Sequence, residues 1–127
     1  MIGYAATTRD ITVTIHPIYL DEPSDFFQKE FAFAYAVRIE NRSGEEVQLL
    51  RRHWVITEEN GRLQDVEGKG VVGQQPVIAP GRTHHYSSSC VIQSFGGIME
   101  GTYLMQREDG ERFRATIPRF PLHVAAN

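Results

Sequence analysis

The sequence predicts an all-β fold: an antiparallel β-sandwich of seven to eight strands with no substantial helix. Three observations carry this. Runs of period-two alternation recur along the chain, turn signals interrupt them at short intervals, and no stretch sustains helical spacing of apolar residues over three turns. A barrel shares these features, but proline-bearing segments that look like sheet edges favour the open sandwich.

Ile11-Thr12-Val13-Thr14-Ile15-His16 alternates apolar and polar residues, the pattern of a half-buried strand, and Pro17 is expected to limit it. Asp21-Glu22-Pro23-Ser24-Asp25 reads as a loop. The strongest signal follows. Phe31, Phe33, Tyr35, Val37 and Ile39 share one face, opposite Ala32, Ala34, Ala36, Arg38 and Glu40. A helix would scatter those large residues around its circumference, whereas a strand collects them. Asn41-Arg42-Ser43-Gly44 ends this strand, and Val47 to Thr57 forms the next. Asn60-Gly61 is a hairpin turn signal, so Leu63 to Glu67 returns antiparallel. After the glycine-rich stretch Gly68 to Gly73 comes a short extended piece ending at Pro80-Gly81, then a Ser- and Thr-rich strand over Arg82 to Val91. Phe95-Gly96-Gly97 breaks the chain. The last hairpin joins Met99–Gln106 to Phe113, Ala115 and Ile117 through Asp109-Gly110, and Pro118 and Pro121 close it.

The chain has 127 residues, which suits one domain over 1–127, with 1–9 and 123–127 expected to be flexible ends. Thirteen Lys and Arg stand against 16 Asp and Glu, a formal charge of −3. A nucleic-acid binder should show a basic excess, so no nucleic-acid partner is expected. The one cysteine, Cys90, excludes an intrachain disulfide framework and a multi-cysteine metal site, and a free thiol fits a reducing compartment. No basic start followed by an apolar run marks a signal peptide, and no apolar run approaches the roughly 20 residues of a spanning helix. The expected location is the cytoplasm, without a membrane partner.

Several blocks resemble the bacterial ApaG family: Val47-Gln48-Leu49-Leu50-Arg51-Arg52-His53-Trp54, Val66 through Pro76, Ile78-Ala79-Pro80-Gly81, Gly97 through Tyr103, and Ile117 through Leu122. They occur in fixed order from about the first strand to Leu122. The resemblance implies a fibronectin type III/immunoglobulin-like sandwich and an association with cobalt and magnesium tolerance or efflux. Similar domains in some eukaryotic F-box proteins and in a DNA polymerase delta interacting protein look like partner-binding modules. The family brings no catalytic residue set and no cofactor.

Gly68-Lys69-Gly70-Val71-Val72-Gly73 matches G-x-G-x-x-G, but a dinucleotide site needs a helix after the motif. Pro76 and Pro80-Gly81 leave no room for one. A weaker reading remains: loop N–H groups of Gly68, Lys69, Gly70 and Gly73, with the Lys69 charge and Arg62 or Arg82 nearby, forming a nest for a phosphate-containing small anion, pyrophosphate or a nucleotide. The simpler reading is a tight strand crossing or bulge.

Other constellations are weaker. His84 and His85 are strand neighbours pointing to opposite faces, and His16, His53 and His123 lie in separate segments. Asp21, Glu22 and Asp25 form an acidic cluster, most simply a solvated loop. No metal site is expected, and any role in cation efflux is indirect. Ser87-Ser88-Ser89-Cys90 lacks the surroundings of a nucleophile, and Cys90 reads as a small buried hydrophobe. Trp54 is expected in the core, and Arg51-Arg52 on a solvated strand face. Thirteen cations less Lys29 and Lys69 leave 11 arginines, a skew that favours recognition. The small-residue face of Ala32, Ala34 and Ala36 would let another chain approach closely. The expected function is a non-enzymatic module with a protein partner, as monomer or homodimer, with anion binding as the alternative.

Overall fold

The computed structural model describes residues 3–25 and 27–124. Among them lie nine strands: β1 (Tyr4–Thr8), β2 (Ile11–Asp25), β3 (Glu30–Asn41), β4 (Val47–Glu58), β5 (Leu63–Lys69), β6 (Val77–Ile78), β7 (Thr83–Ile92), β8 (Gly96–Arg107) and β9 (Arg112–His123). All pairings are antiparallel. One sheet has the order β1-β2-β3-β7 and the other β5-β4-β8-β9, with short β6 also on β4. No described residue is helical. The all-β sandwich is the predicted one.

Four details differ from the sequence reading. There are nine strands rather than seven or eight. Residues 4–8 form β1 instead of a flexible end, because Arg9 and Asp10 adopt φ of 45° and 65° and fold Tyr4–Thr8 back onto Ile11–Ile15. Two successive positive φ values are the geometry of a tight hairpin turn. β2 also continues through Pro17 to Asp25, where a loop was expected. Pro17 stays in register with Tyr35 but lies past the last described β1 pair, Tyr4↔Ile15, at a sheet edge where a missing N–H is tolerated. The ladder is irregular between Leu20 and Asp25, and Ser24 Oγ repairs it by donating to the Leu20 carbonyl and accepting from the Ala32 N–H at 2.8 Å. Likewise β9 runs past Pro118 and Pro121 to His123, because Pro118 falls where the β8–β9 register shifts. Residues 125–127, part of the expected flexible end, lie outside the described residues.

The core is the space between the sheets. Phe31, Phe33, Tyr35, Val37 and Ile39 all point into it, each no more than 6% exposed. Trp54, 3% exposed, is its central pillar: its ring centroid lies 5.3 Å from Tyr35 and 6.2 Å from both Tyr103 and Phe120. Burying each such side chain contributes roughly 1.5–3 kcal/mol. Along one side the sandwich is closed by β9 under β1 and β2, where the Thr116 N–H donates to Thr8 Oγ1. Along the other, the edge strands β7 and β5 face one another, with Gln64 Nε2 donating to the Val91 carbonyl at 3.0 Å. That side holds the cleft.

Candidate ligand cleft between the sheets

A β-bulge decides which side chains of β4 enter the interior. Val47 and Leu49 point inward, but the β4–β8 register steps from Leu49↔Met105 to Arg51↔Leu104, leaving Leu50 as an extra residue. Past the bulge the inward positions are Arg52, Trp54, Ile56 and Glu58. A one-residue slip moves every following side chain to the other face. Arg51 and His53 therefore point outward, toward Glu67 at 3.4 Å and Asp65 at 2.7 Å, while Arg52 points in and is half-buried. The solvated face expected for Arg51-Arg52 holds for Arg51 alone.

Register then assembles the site. Arg52, Trp54 and Ile56 pair with Gly68, Val66 and Gln64 of β5, so these share the inner face. Across the gap, Tyr86, Ser88 and Cys90 are the inward residues of β7, beside Val37, Tyr35 and Phe33 of β3. Between them lies a cavity of about 220 Å³, lined by Tyr35, Arg52, Trp54, Val66, Ser88 and Cys90, with Gln64, Ser89, Ile56 and Met99 completing it. Val66 shows how open it is: an inward-facing residue beside Trp54, yet 41% exposed.

The electrostatics of the cleft are one-sided. Burial pushes the Tyr35 phenol above its ordinary value, with the Ser88 hydroxyl and the Arg52 charge acting against it. Burial raises Tyr86 and Tyr103 as well, and their hydroxyls bond one another across the sandwich. The Cys90 thiol is pushed up to about 12, first by burial and then by the Glu58 charge. These groups are all neutral near pH 7. The cleft-lining side chains include no carboxylate and no histidine. One cation, several hydroxyls and an apolar floor can hold a ligand, but they offer no general base.

The glycine segment proves to be the seat of Arg52. Gly68 and Lys69 are the last residues of β5, and Arg52 Nη1 donates to the Lys69 carbonyl at 3.2 Å and the Gly70 carbonyl at 2.9 Å. A Cβ on residue 68 would stand 2.9 Å from both Nη1 and Nη2, so any other residue here would displace the guanidinium from this position. Gly70, at φ 66°, donates its N–H to the Leu50 carbonyl in the bulge. Val71 and Gln74 then close a turn through reciprocal backbone hydrogen bonds, Val71 is buried in the core, and Gly73 completes the turn at φ 75°. The carbonyls of this segment meet a cation, and the Gly70 and Val71 N–H groups are spent internally. Lys69 points to solvent, and Arg62 is held by Glu58 at 2.7 Å.

The remaining candidates are dispersed. His84 and His85 alternate between half-buried and exposed faces, and the described residues hold no cluster of three His, Cys, Asp or Glu placed for a metal. Asp25 Oδ1 accepts the Phe27 and Gln28 N–H groups and so shapes the β2–β3 turn. Sequence reasoning missed Arg52 and Ser88 as cleft residues. Nothing near Leu50 announces a bulge, and β7 is polar on both faces, so alternation could not tell inner from outer.

An ApaG domain model matches residues 21–107. Protein ApaG of Paramagnetospirillum magneticum is 52% identical over 119 residues, covering 94% of this chain and 92% of that protein. Protein ApaG of Brucella suis is 46% identical over 121 residues, covering 95% and 93%. Among solved structures, a putative ApaA protein from Bordetella pertussis superimposes with a TM-score of 0.88 at 43% identity, covering 93% of this chain and 96% of that one.

Proposed function

This chain belongs to the ApaG family, and from that premise we propose that it is a non-enzymatic binding module whose protein partner docks on the outer face of the β1-β2-β3-β7 sheet. Arg38 and Arg42 both pair with Glu40 at one end of this face, and the contrast between its remaining part and the other sheet's outer face carries the reading. Three successive rows across β2, β3 and β7 are His16–Ala36–Ser87, Ile18–Ala34–Ser89 and Leu20–Ala32–Val91. They contain no carboxylate, lysine or arginine, and Ile18 and Val91 are 44% and 48% exposed. The other sheet's outer face is laced with ion pairs: Arg51 with Glu67, His53 with Asp65, Arg119 with Glu100. A solvated sheet face is normally polar, whereas the centre of an interface is depleted of charge.

Two further observations support a binding role. The cleft between the sheets lacks a general base, and its one thiol is held protonated. Phosphate-anion binding at Gly68, Lys69, Gly70 and Gly73 has less to stand on, since the N–H groups of Gly70 and Val71 are already engaged. A cytoplasmic location goes with an unpaired cysteine. No described helix is long and apolar enough to cross a membrane. The tie to cobalt and magnesium homeostasis therefore runs through the partner.

Crosslinked pull-down with the wild-type chain, Ala34→Arg and Thr57→Arg tests this. Position 34 lies at the centre of the three uncharged rows and position 57 on the opposite sheet. A specific partner should be captured by wild type and Thr57→Arg and lost with Ala34→Arg at an unchanged melting temperature. Capture of nothing above background, or equal capture by all three, refutes the reading.

A further inference from the structure

We propose that the cleft between the sheets binds a small organic monocarboxylate, its carboxylate on the free donors of Arg52 and its apolar body against Trp54 and Val66. This site borders the docking face at Ser89 but rests on different residues, and its test is independent of that reading.

The argument begins with an unbalanced charge. Arg52 is half-buried, and none of the ion pairs among the described residues involves it. A guanidinium partly withdrawn from water and left without an ion-pair partner is suited to pair with an anion. Its hydrogen bonds among the described residues both leave from Nη1, to the Lys69 and Gly70 carbonyls. A guanidinium has five N–H donors, so those of Nε and Nη2 remain. These two lie on one edge of the planar fork, the arrangement that grips a carboxylate through two parallel bonds.

That edge is also held in place. The Leu50 bulge turns Arg52 inward, Gly68 makes room for the guanidinium, and the two carbonyls fix Nη1. A charged side chain anchored this firmly at a cavity is preorganised, which lowers the entropic cost of binding.

The cavity selects the class of ligand. About 220 Å³ is room for roughly seven waters at ~30 Å³ each, and lies below the ~300–1,000 Å³ of pockets for larger ligands. A nucleotide would extend well beyond it. One uncompensated positive charge matches one negative charge, so a monoanion suits the site better than a phosphate dianion. Trp54, Ile56, Val66 and Met99 supply apolar surface, and the Ser88 hydroxyl supplies a further donor. A compact acid with an aliphatic or aromatic body meets each of these demands.

Trp54 is the chain's one tryptophan and lines the cavity, so its fluorescence reads occupancy directly. Benzoate, its neutral isostere benzamide and inorganic phosphate are titrated into the intact protein. Benzoate should change the emission saturably below about 10 mM, and benzamide and phosphate should bind at least tenfold more weakly, given the strength of bidentate charge-assisted pairing. Arg52→Gln should weaken benzoate at least tenfold, and Arg52→Lys, which keeps the charge without the fork, should not restore it. Should these variants misfold, the wild-type Arg52 Nε–H resonance provides the same answer: benzoate shifts it and benzamide does not. No saturable response, equal binding of benzamide or phosphate, or an Nε–H resonance indifferent to benzoate overturns the proposal.

Discussion

Glu58 and Ser94 are joined twice: the buried carboxylate accepts the Ser94 backbone N–H at 3.1 Å and its hydroxyl at 3.2 Å, both on Oε1. The same oxygen takes the Gln93 N–H at 2.6 Å, and Oε2 takes Arg62 at 2.7 Å and Gln64 at 3.1 Å. One side chain thus ties the β4–β5 hairpin to the loop before β8. Burial alone would raise its pKa, but the bonds from Gln93, Gln64, Arg62 and Ser94 together outweigh it and hold the carboxyl below its ordinary value. A carboxyl whose pKa is lower folded than unfolded contributes stability above the unfolded value of 4.5, and that stability is lost as pH falls through the folded value. Glu58→Gln should cost about 2–3 kcal/mol at neutral pH. Its melting temperature should also fall less steeply than the wild type's between pH 5 and pH 3. Calorimetric melts over that range check both, and parallel acid profiles would contradict the account.

Phe33 is 2% exposed, and its ring lies 5.4 Å from that of Tyr19. Phe33→Ala removes a ring from the middle of β3 and leaves a void that the paired strands cannot collapse to fill. A loss of about 3–5 kcal/mol in urea unfolding is expected. A loss below about 1 kcal/mol would be incompatible with this packing.

Gly70 has a positive φ, and a Cβ there would run into the Gln74 carbonyl oxygen. Gly70→Val therefore combines backbone strain of about 1–3 kcal/mol with a collision against main chain that cannot swing aside. Its melting temperature should drop sharply. Lys69→Ala, one residue earlier on an exposed side chain, should stay within about 0.5 kcal/mol of wild type. If the two variants melt alike, the turn at Val71–Gln74 is not constrained as described.

How much was legible depended on whether the two faces of a strand differ. β3 could be read residue by residue because its inner face is bulky and its outer face small. The Asn60-Gly61 and Asp109-Gly110 turns were legible too, since Gly61 and Gly110 take φ of 89° and 88°. β1 was hidden because its turn uses Arg9 and Asp10 without a glycine, and although Asp tolerates positive φ, Arg seldom signals it. The site was harder still. Arg52 owes its inward direction to one extra residue at Leu50, and a bulge without glycine or proline leaves no local mark. The G-x-G-x-x-G spacing was visible, but its physical reason lay on β4, in a guanidinium that Gly68 admits and that Lys69 and Gly70 hold.

Cys90 offers the sharpest test of the neutral interior assigned to the cleft. Its pKa is raised from 9.0 to about 12, chiefly by burial among Tyr35, Trp54 and Ser88 and further by the Glu58 charge. Thiolate is the reactive form, so three units of pKa lower its fraction at pH 8 about a thousandfold. Iodoacetamide should alkylate the native protein at least a hundredfold more slowly than the urea-unfolded chain, even allowing for part of the reaction passing through transient opening. Raising the pH from 7 to 9 should not bring the native rate to a plateau, because the thiol stays protonated throughout that range. A nucleophilic cysteine behaves the other way, reacting faster when folded and levelling off near neutrality. Native alkylation as fast as that of the unfolded chain would therefore remove both the protonated thiol and the case against catalysis in this cleft.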